Sequence, residues 1–227
     1  MPWTSALQAA IGTKVTLVAR LRPSWTEGES FVFGVMGDDP ETTALSSQAF
    51  MLDVNCFRDP VTGNVVNTYG ASERVYVGGV STPSGGAASG VTPGAAVVEF
   101  AVTWEIDTAT RYRRLHTRYA PGDPWTTVAS MTDSGAATGW SYEAATYGGT
   151  GIIAYAGNRY QVAAPNWRGA LMSLSIRAGI TGSGASATPG GTELAEWHAD
   201  PPDSTYADAY GNTWTVNGPD WSWTSID

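Results

Sequence analysis

Apolar and polar residues alternate along much of this chain. In TKVTLVARLR (residues 13–22), Val15, Leu17, Ala19 and Leu21 fall on one face and Thr16, Val18, Arg20 and Arg22 on the other. Pro23 closes the run. That period of two predicts a half-buried strand. In AVVEFAVTWEID, Val98, Phe100, Val102, Trp104 and Ile106 share one face while Glu99, Ala101, Thr103, Glu105 and Asp107 share the other. Further strands are predicted in SFVFGVM (30–36), AFMLDVN (49–55), RVYVGG (74–79) and GIIAYAGN (151–158), with a hairpin turn at VTGN (61–64). RYRRLHTRYAPGDPWTTVAS reads as a return strand, a PGD turn and another hairpin arm. WRGALMSLSIRAG sets Met172, Leu174 and Ile176 opposite Ser173, Ser175 and Arg177, whereas residues 167–171 fit the alternation poorly.

Between these runs, STPSGGAASGVTPG (81–94) is polar and rich in glycine, and is expected to be a long exposed loop. Residues 183–192 read as a Gly/Ser/Ala-rich linker. The last 35 or so residues offer two short strands around Asp208 and Asn212 and are too few for a core of their own. The expected architecture is all-β: a two-sheet antiparallel jelly-roll sandwich over residues 1–182, the linker, then a tryptophan-rich β extension over 193–227. That extension would dock on the sandwich or on a neighbouring subunit, with Trp214, Trp221 and Trp223 as contact residues.

Composition agrees with this picture. The 227 residues are 42% apolar and 15% charged, enough for a core and too little charge for disorder, and 27 glycines with 13 prolines supply many turns. A formal net charge of −9 repels phosphate backbones and anionic lipid, which argues against nucleic-acid partners. Cys56 is the only cysteine, so no internal disulfide is expected, and it reads as a buried small hydrophobe. MPWTSALQAAIGTK lacks a basic stretch followed by an apolar one, and no run reaches the roughly 18 apolar residues of a membrane span. A soluble product made without a signal peptide and without membrane insertion is expected.

Glu105 and Asp107 raise the question of catalysis. Glycosidase carboxyl groups stand about 5 to 5.5 Å apart for retention and about 6.5 to 9.5 Å for inversion, and residues two apart on a strand are separated by roughly 6.6 Å. The pair resembles the Glu-x-Asp-x-Glu or Glu-x-Asp-x-x-Glu strand of jelly-roll beta-glucanases. Ala109 and Thr110, however, occupy the places of the third acid, and one carboxyl cannot serve as both acid and nucleophile. The expectation is a protein that is not an enzyme, with Glu105 and Asp107 paired across the hairpin to Arg111, Arg113 or Arg114. His116 and His198 stand apart from any metal-ligand spacing. Asp38, Asp39 and Glu41 offer oxygen ligands that Ca2+ could use, although the twelve-residue calcium-loop pattern is absent; solvated loop acids are the default reading. Trp125, Trp140, Tyr142 and Tyr147 lie in or beside turns, where aromatic rings can stack on sugars.

TLVARLRPSWT, VVEFAVTWEID with its return strand, and GIIAYAGN followed by NWRGALMSLSIRAGITG together resemble the concanavalin A-like, laminin-G-like jelly-roll family over residues 13–182. Gly157, Trp167, Gly169 and Gly179 fit its closing strands. The following TELAEWHADPPDSTYADAYGNTWTVNG, with Asp208, Gly211, Asn212, Trp214 and Gly218, resembles segments in minor tail proteins of phages infecting actinobacteria. The resemblance implies a non-enzymatic virion protein, in the tail ahead of the head, that contacts other virion proteins, copies of itself and host cell-wall glycans. Such tail proteins are often longer and multi-domain, so a capsid decoration protein and a free carbohydrate-binding module stand as alternatives, with a Glu105 glycoside hydrolase behind them.

Overall fold

A computed structural model describes residues 1–22, 29–37, 48–58, 61–62, 65–91, 97–142, 152–157, 169–199 and 205–215. The chain opens with a short helix, α1 (Ser5–Ile11), whose N-cap Thr4 accepts a hydrogen bond from the Leu7 amide at 3.2 Å and whose run ends at Gly12. Leu7 and Ile11 turn into the core. Strands β1 (Lys14–Arg22), β2 (Glu29–Gly37), β3 (Gln48–Arg58), β4 (Val65–Val77), β5 (Val80–Val91), β6 (Val98–Glu105) and β7 (Thr110–Arg118) follow. After them come β8 (Thr126–Ser134), β9 (Ala137–Trp140), β10 (Ile152–Gly157), β11 (Ala170–Ala178), β12 (Thr192–His198), β13 (Thr205–Ala207) and β14 (Thr213–Thr215).

Two antiparallel sheets form a sandwich. One, the β6 sheet, runs β12-β11-β1-β6-β7-β8; the other, the β3 sheet, runs β10-β2-β3-β4-β5, with β9 also paired to β4. β13 and β14 make a separate two-stranded sheet. The predicted inner faces are the observed ones. Val15, Leu17, Ala19 and Leu21 of β1 and Val98, Phe100, Val102 and Trp104 of β6 meet Phe31, Phe33 and Val35 of β2 and Phe50, Leu52 and Val54 of β3 in one core. Each such large side chain contributes roughly 1.5 to 3 kcal/mol on burial. At one end Trp3 and Trp140 pack on Phe50, with ring centroids 6.0 and 4.8 Å away, and Trp104 closes the cluster at 6.3 Å from Trp140.

The stretch expected as an exposed loop is a strand where it is described. β5 pairs with β4 from Val77 and Val80 to Val66 and Val91. Gly78 and Gly79, with φ of 58° and 81°, form the two-residue turn that sets this register. Small residues suit the position, because a Cβ on Gly86 would overlap Met131 of β8, which closes that edge of the sandwich. Residues 92–94 of the expected loop lie outside the described residues.

Residues 183–192, expected as a linker, carry a 3-10 turn (Gly184–Ser186) and pass directly into β12, which pairs with β11. With Thr181 bridged to Thr188, residues 179–191 form a strap against the outer face of the β6 sheet. No helix of the described chain is long and apolar enough to cross a membrane.

Candidate functional site

Glu105 ends β6 on the outward face, and both of its oxygens are engaged. Oε1 meets Lys14 Nζ at 2.7 Å, and Oε2 accepts from the Gly184 amide at 2.7 Å. Burial alone would raise its pKa, but these donors hold it below the usual carboxylate value. Asp107 is exposed and accepts from Thr13 Oγ1 at 2.8 Å. The expected pairing with Arg111, Arg113 or Arg114 does not form. Period-two geometry turns Arg111 and Arg113 inward, and the register sets Tyr112 opposite Glu105. Arg111 Nη1 donates instead to the carbonyls of Ser134 and Gly135 at 2.8 and 2.6 Å.

Arg113 belongs to a polar cluster between the sheets, which alternation along single strands could not reveal. Its Nη1 meets Glu73 Oε2 of β4 at 2.5 Å, Ser84 Oγ of β5 at 3.1 Å and Asp133 Oδ2 of β8 at 3.5 Å. Trp104 Nε1 donates to the same Glu73 oxygen at 2.8 Å, and Ser84 Oγ donates to Asp133 Oδ2 at 2.5 Å. Burial pushes the Glu73 carboxyl above its ordinary value against the pull of Arg113. The cluster joins β4, β5, β6, β7 and β8 across the closing edge.

The aromatic candidates separate. Trp140 is a core residue, 6% exposed, and its Nε1 donates to the Gly12 carbonyl at 2.7 Å, so no ring face is open to a sugar. Tyr142 packs beside Trp3 with ring centroids 6.1 Å apart, and burial raises the pKa of its phenol. Trp125 stands half-exposed at the end of the predicted PGD turn, with Tyr119 exposed at its start. Arg118 stacks 4.2 Å from the Trp125 ring centroid, and Arg118 Nε is itself bonded to Glu99. Beneath it His116 lies 6.4 Å edge-on to Trp125, bonded through its two ring nitrogens to Thr103 and Thr127 at 3.0 and 3.1 Å. Burial, with Arg114 beside it, pulls the His116 pKa down to about 4. His198 is exposed and pairs with Glu196 at 3.1 Å. Tyr147, Asp38, Asp39, Glu41, Trp221 and Trp223 lie outside the described residues, as does the side chain of Cys56. Among the described residues no group of three or more His, Cys, Asp or Glu is placed to hold a metal ion.

Trp214 packs on the sandwich of its own chain. It is 5% exposed, belongs to the core, and its Nε1 points to Asp208 Oδ2 at 3.3 Å. The buried Asp208 accepts from the amides of Tyr210, Asn212 and Glu196 at 3.0, 2.8 and 3.1 Å and from Asn212 Nδ2. Burial opposes its charge, but these donors prevail and hold its pKa low. Asn212 Nδ2 also donates to the Leu194 carbonyl at 2.9 Å. One carboxylate thus closes the β13–β14 hairpin and ties it to β12.

No family model matches the chain, and no curated protein matches it. Among solved structures it is similar to the enzymatically active domain of tailspike protein 2 of bacteriophage CBA120. The TM-score there is 0.35 at 14% identity, over 74% of this chain and 23% of that one. A second similar structure is full-length tailspike protein 2 of an Escherichia coli O157:H7 bacteriophage, at TM-score 0.34 and 13% identity, over 74% of this chain and 20% of that one. The chain therefore spans less than a quarter of the length of either. The likeness is a distant structural match to phage tailspike domains and assigns no family.

Proposed function

We propose that this protein is a non-enzymatic structural component of a phage virion, placed in the tail, where the sandwich packs on other virion proteins and its loops meet host-surface glycans. The observation that carries the reading is the hairpin closed by Asp208. The segment whose Asp208, Gly211, Asn212 and Trp214 resemble tail proteins is fastened to β12, an edge strand of the sandwich itself, so the two parts of the resemblance form one body. Engagement of both Glu105 oxygens by Lys14 and Gly184 supports a structural use of that acid. Mass spectrometry of purified particles is expected to find the chain among the tail proteins; its absence from the particles would remove the reading.

A glycan contact is favoured by the half-exposed Trp125, whose ring is oriented by Arg118 and Glu99 in an outward turn. Aromatic rings of this kind bury the apolar faces of sugars. Trp125→Ala is expected to abolish binding to host cell walls without lowering the melting temperature by more than a few degrees. Silence of the unaltered protein on cell walls and glycan arrays would end the glycan part of the proposal.

A further inference from the structure

β7 turns Tyr112, Arg114, His116 and Arg118 to the outer face of the β6 sheet, between inward-facing Arg113 and Leu115. Arg113, Arg118 and Arg177 each have a carboxylate partner. Arg114 makes no such contact, although the Glu105 charge acts on it from nearby: its side chain is at 0% exposure, yet Nε, Nη1 and Nη2 find no hydrogen-bond partner among the described residues. Its Cζ lies 4.7 Å from the centroid of the Tyr112 ring. A guanidinium keeps its charge in a protein, so burial cannot be relieved by losing the proton. Its three nitrogens form a rigid fork that suits the two oxygens of a carboxylate.

The surroundings specify the ligand further. Across the strands Arg114 lies beside Thr103, and Thr103 beside Thr16. The strap of residues 179–191 covers this row. The Gly190 amide donates to Thr16 Oγ1 at 3.4 Å, Thr16 Oγ1 donates to the Gly179 carbonyl at 2.8 Å, and a Cβ on Gly184 would stand 4.0 Å from the Tyr112 ring. On the other side, one step along β7, His116 leads to Trp125. Along this face of β7, Arg114 therefore lies between the Tyr112 ring, 4.7 Å away, and His116. A net charge of −9 and the neighbouring Glu105 oppose a doubly charged anion more strongly than a single carboxylate.

We propose that Arg114 anchors a binding site for a carboxylate-bearing sugar, of the uronic acid kind, which enters when the strap of residues 179–191 lifts from the sheet. The choice of a sugar rests on the glycan part of the proposed function. The carboxylate takes the guanidinium fork, which the Tyr112 ring backs.

Thermal unfolding of the full chain with glucuronate, glucose, acetate or inorganic phosphate tests this, in the unaltered protein and in Arg114→Met and Arg114→Lys. Glucuronate is expected to raise the unaltered melting temperature by about 5 °C or more at roughly 100-fold excess over Kd. Glucose should give no shift, and acetate and phosphate smaller ones. Arg114→Met should melt no lower than the unaltered protein without ligand and should not respond to glucuronate; Arg114→Lys should respond weakly, lacking the fork. No response in the unaltered protein, an undiminished response in Arg114→Met, or a phosphate shift as large as that of glucuronate would overturn the site. So would Arg114→Met melting far below the unaltered protein in ligand-free buffer, because the guanidinium would then be paired in the folded chain. An acetate shift equal to that of glucuronate would overturn the sugar. Failure of the two readings is separable, since neutral-glycan binding lost in Trp125→Ala reports on the proposed function and glucuronate binding lost in Arg114→Met reports on this site.

Discussion

At the scale of single residues, the buried charges do more to define the molecule than the exposed ones. Glu73 and Arg113 are both nearly inaccessible and meet between the sheets, with Trp104 donating to the same carboxylate. Removing one partner of such a pair leaves the other charge buried and uncompensated, whereas replacing both by apolar groups of similar volume is often close to neutral. Glu73→Ala is therefore expected to cost about 3 to 5 kcal/mol in urea unfolding. The double variant Glu73→Leu with Arg113→Met should recover most of that loss. Recovery of nothing would mean that hydrogen bonding to Trp104, Ser84 and Asp133, and not the ion pair, holds this edge together. Very little of this cluster was legible in the sequence. Alternation assigned Trp104 to the core correctly but gave Arg113 to the wrong acid, because the choice of partner depends on which face of β7 each arginine takes and on how far the other sheet lies. Glu73 carried no signal at all, being one polar residue in a run whose inward neighbours, Ala71 and Val75, are ordinary core residues.

Elements were legible in proportion to the size of their side chains. β1 and β6 announced their inner faces through large apolar residues at every second position, whereas Gly78 and Gly79, read as the end of a strand, make the β4–β5 turn. Between its terminal valines β5 is built from Ser, Thr, Pro, Gly and Ala, which have no hydrophobic period, so its strand character comes from pairing with β4 and from the space its small residues leave for β8. Gly86→Leu tests this: the added side chain must displace Met131, and overpacking of this kind costs about 1 to 3 kcal/mol. A variant with an unchanged urea midpoint would show that the β5 and β8 edges are free to part. The C-terminal hairpin depends on a single acid in a different way. Asp208→Ala removes the acceptor of three amides and of the Trp214 indole, at about 1.5 to 3 kcal/mol for each well-made bond to a charged group before relaxation. Hydrogen exchange should then accelerate at the Glu196, Tyr210 and Asn212 amides, while amides in the middle of β6 keep their protection. Equal acceleration throughout would mean that the hairpin and the sandwich unfold together.

For the molecule as a whole, the balance of these buried groups sets the response to acid. His116 is neutral between Thr103 and Thr127, and its pKa falls from 6.5 to about 4 on folding. Between those values the unfolded chain binds a proton that the folded chain refuses, so stability falls as the pH drops from 6.5 towards 4. The loss amounts to about 3 kcal/mol at roughly 1.4 kcal/mol per tenfold change in proton activity. Glu105 and Asp208, both held low, add a further loss only below the ordinary carboxylate pKa, as the pH falls through their folded values. Glu73 acts in the opposite sense, because its raised pKa makes stability fall as the pH rises from the ordinary value through the folded one. The His116 contribution can be isolated by its slope. His116→Gln keeps a donor and an acceptor near the two threonines but cannot be charged, so its urea midpoint is expected to vary less than that of the unaltered protein between pH 6.5 and 4, whatever its level at neutral pH. Identical slopes would show that the imidazole is protonated in the folded state as readily as in the unfolded one. Trp125 and Arg118 would then have to open with each protonation, and the outer face of the β6 sheet would be far looser than its burial indicates.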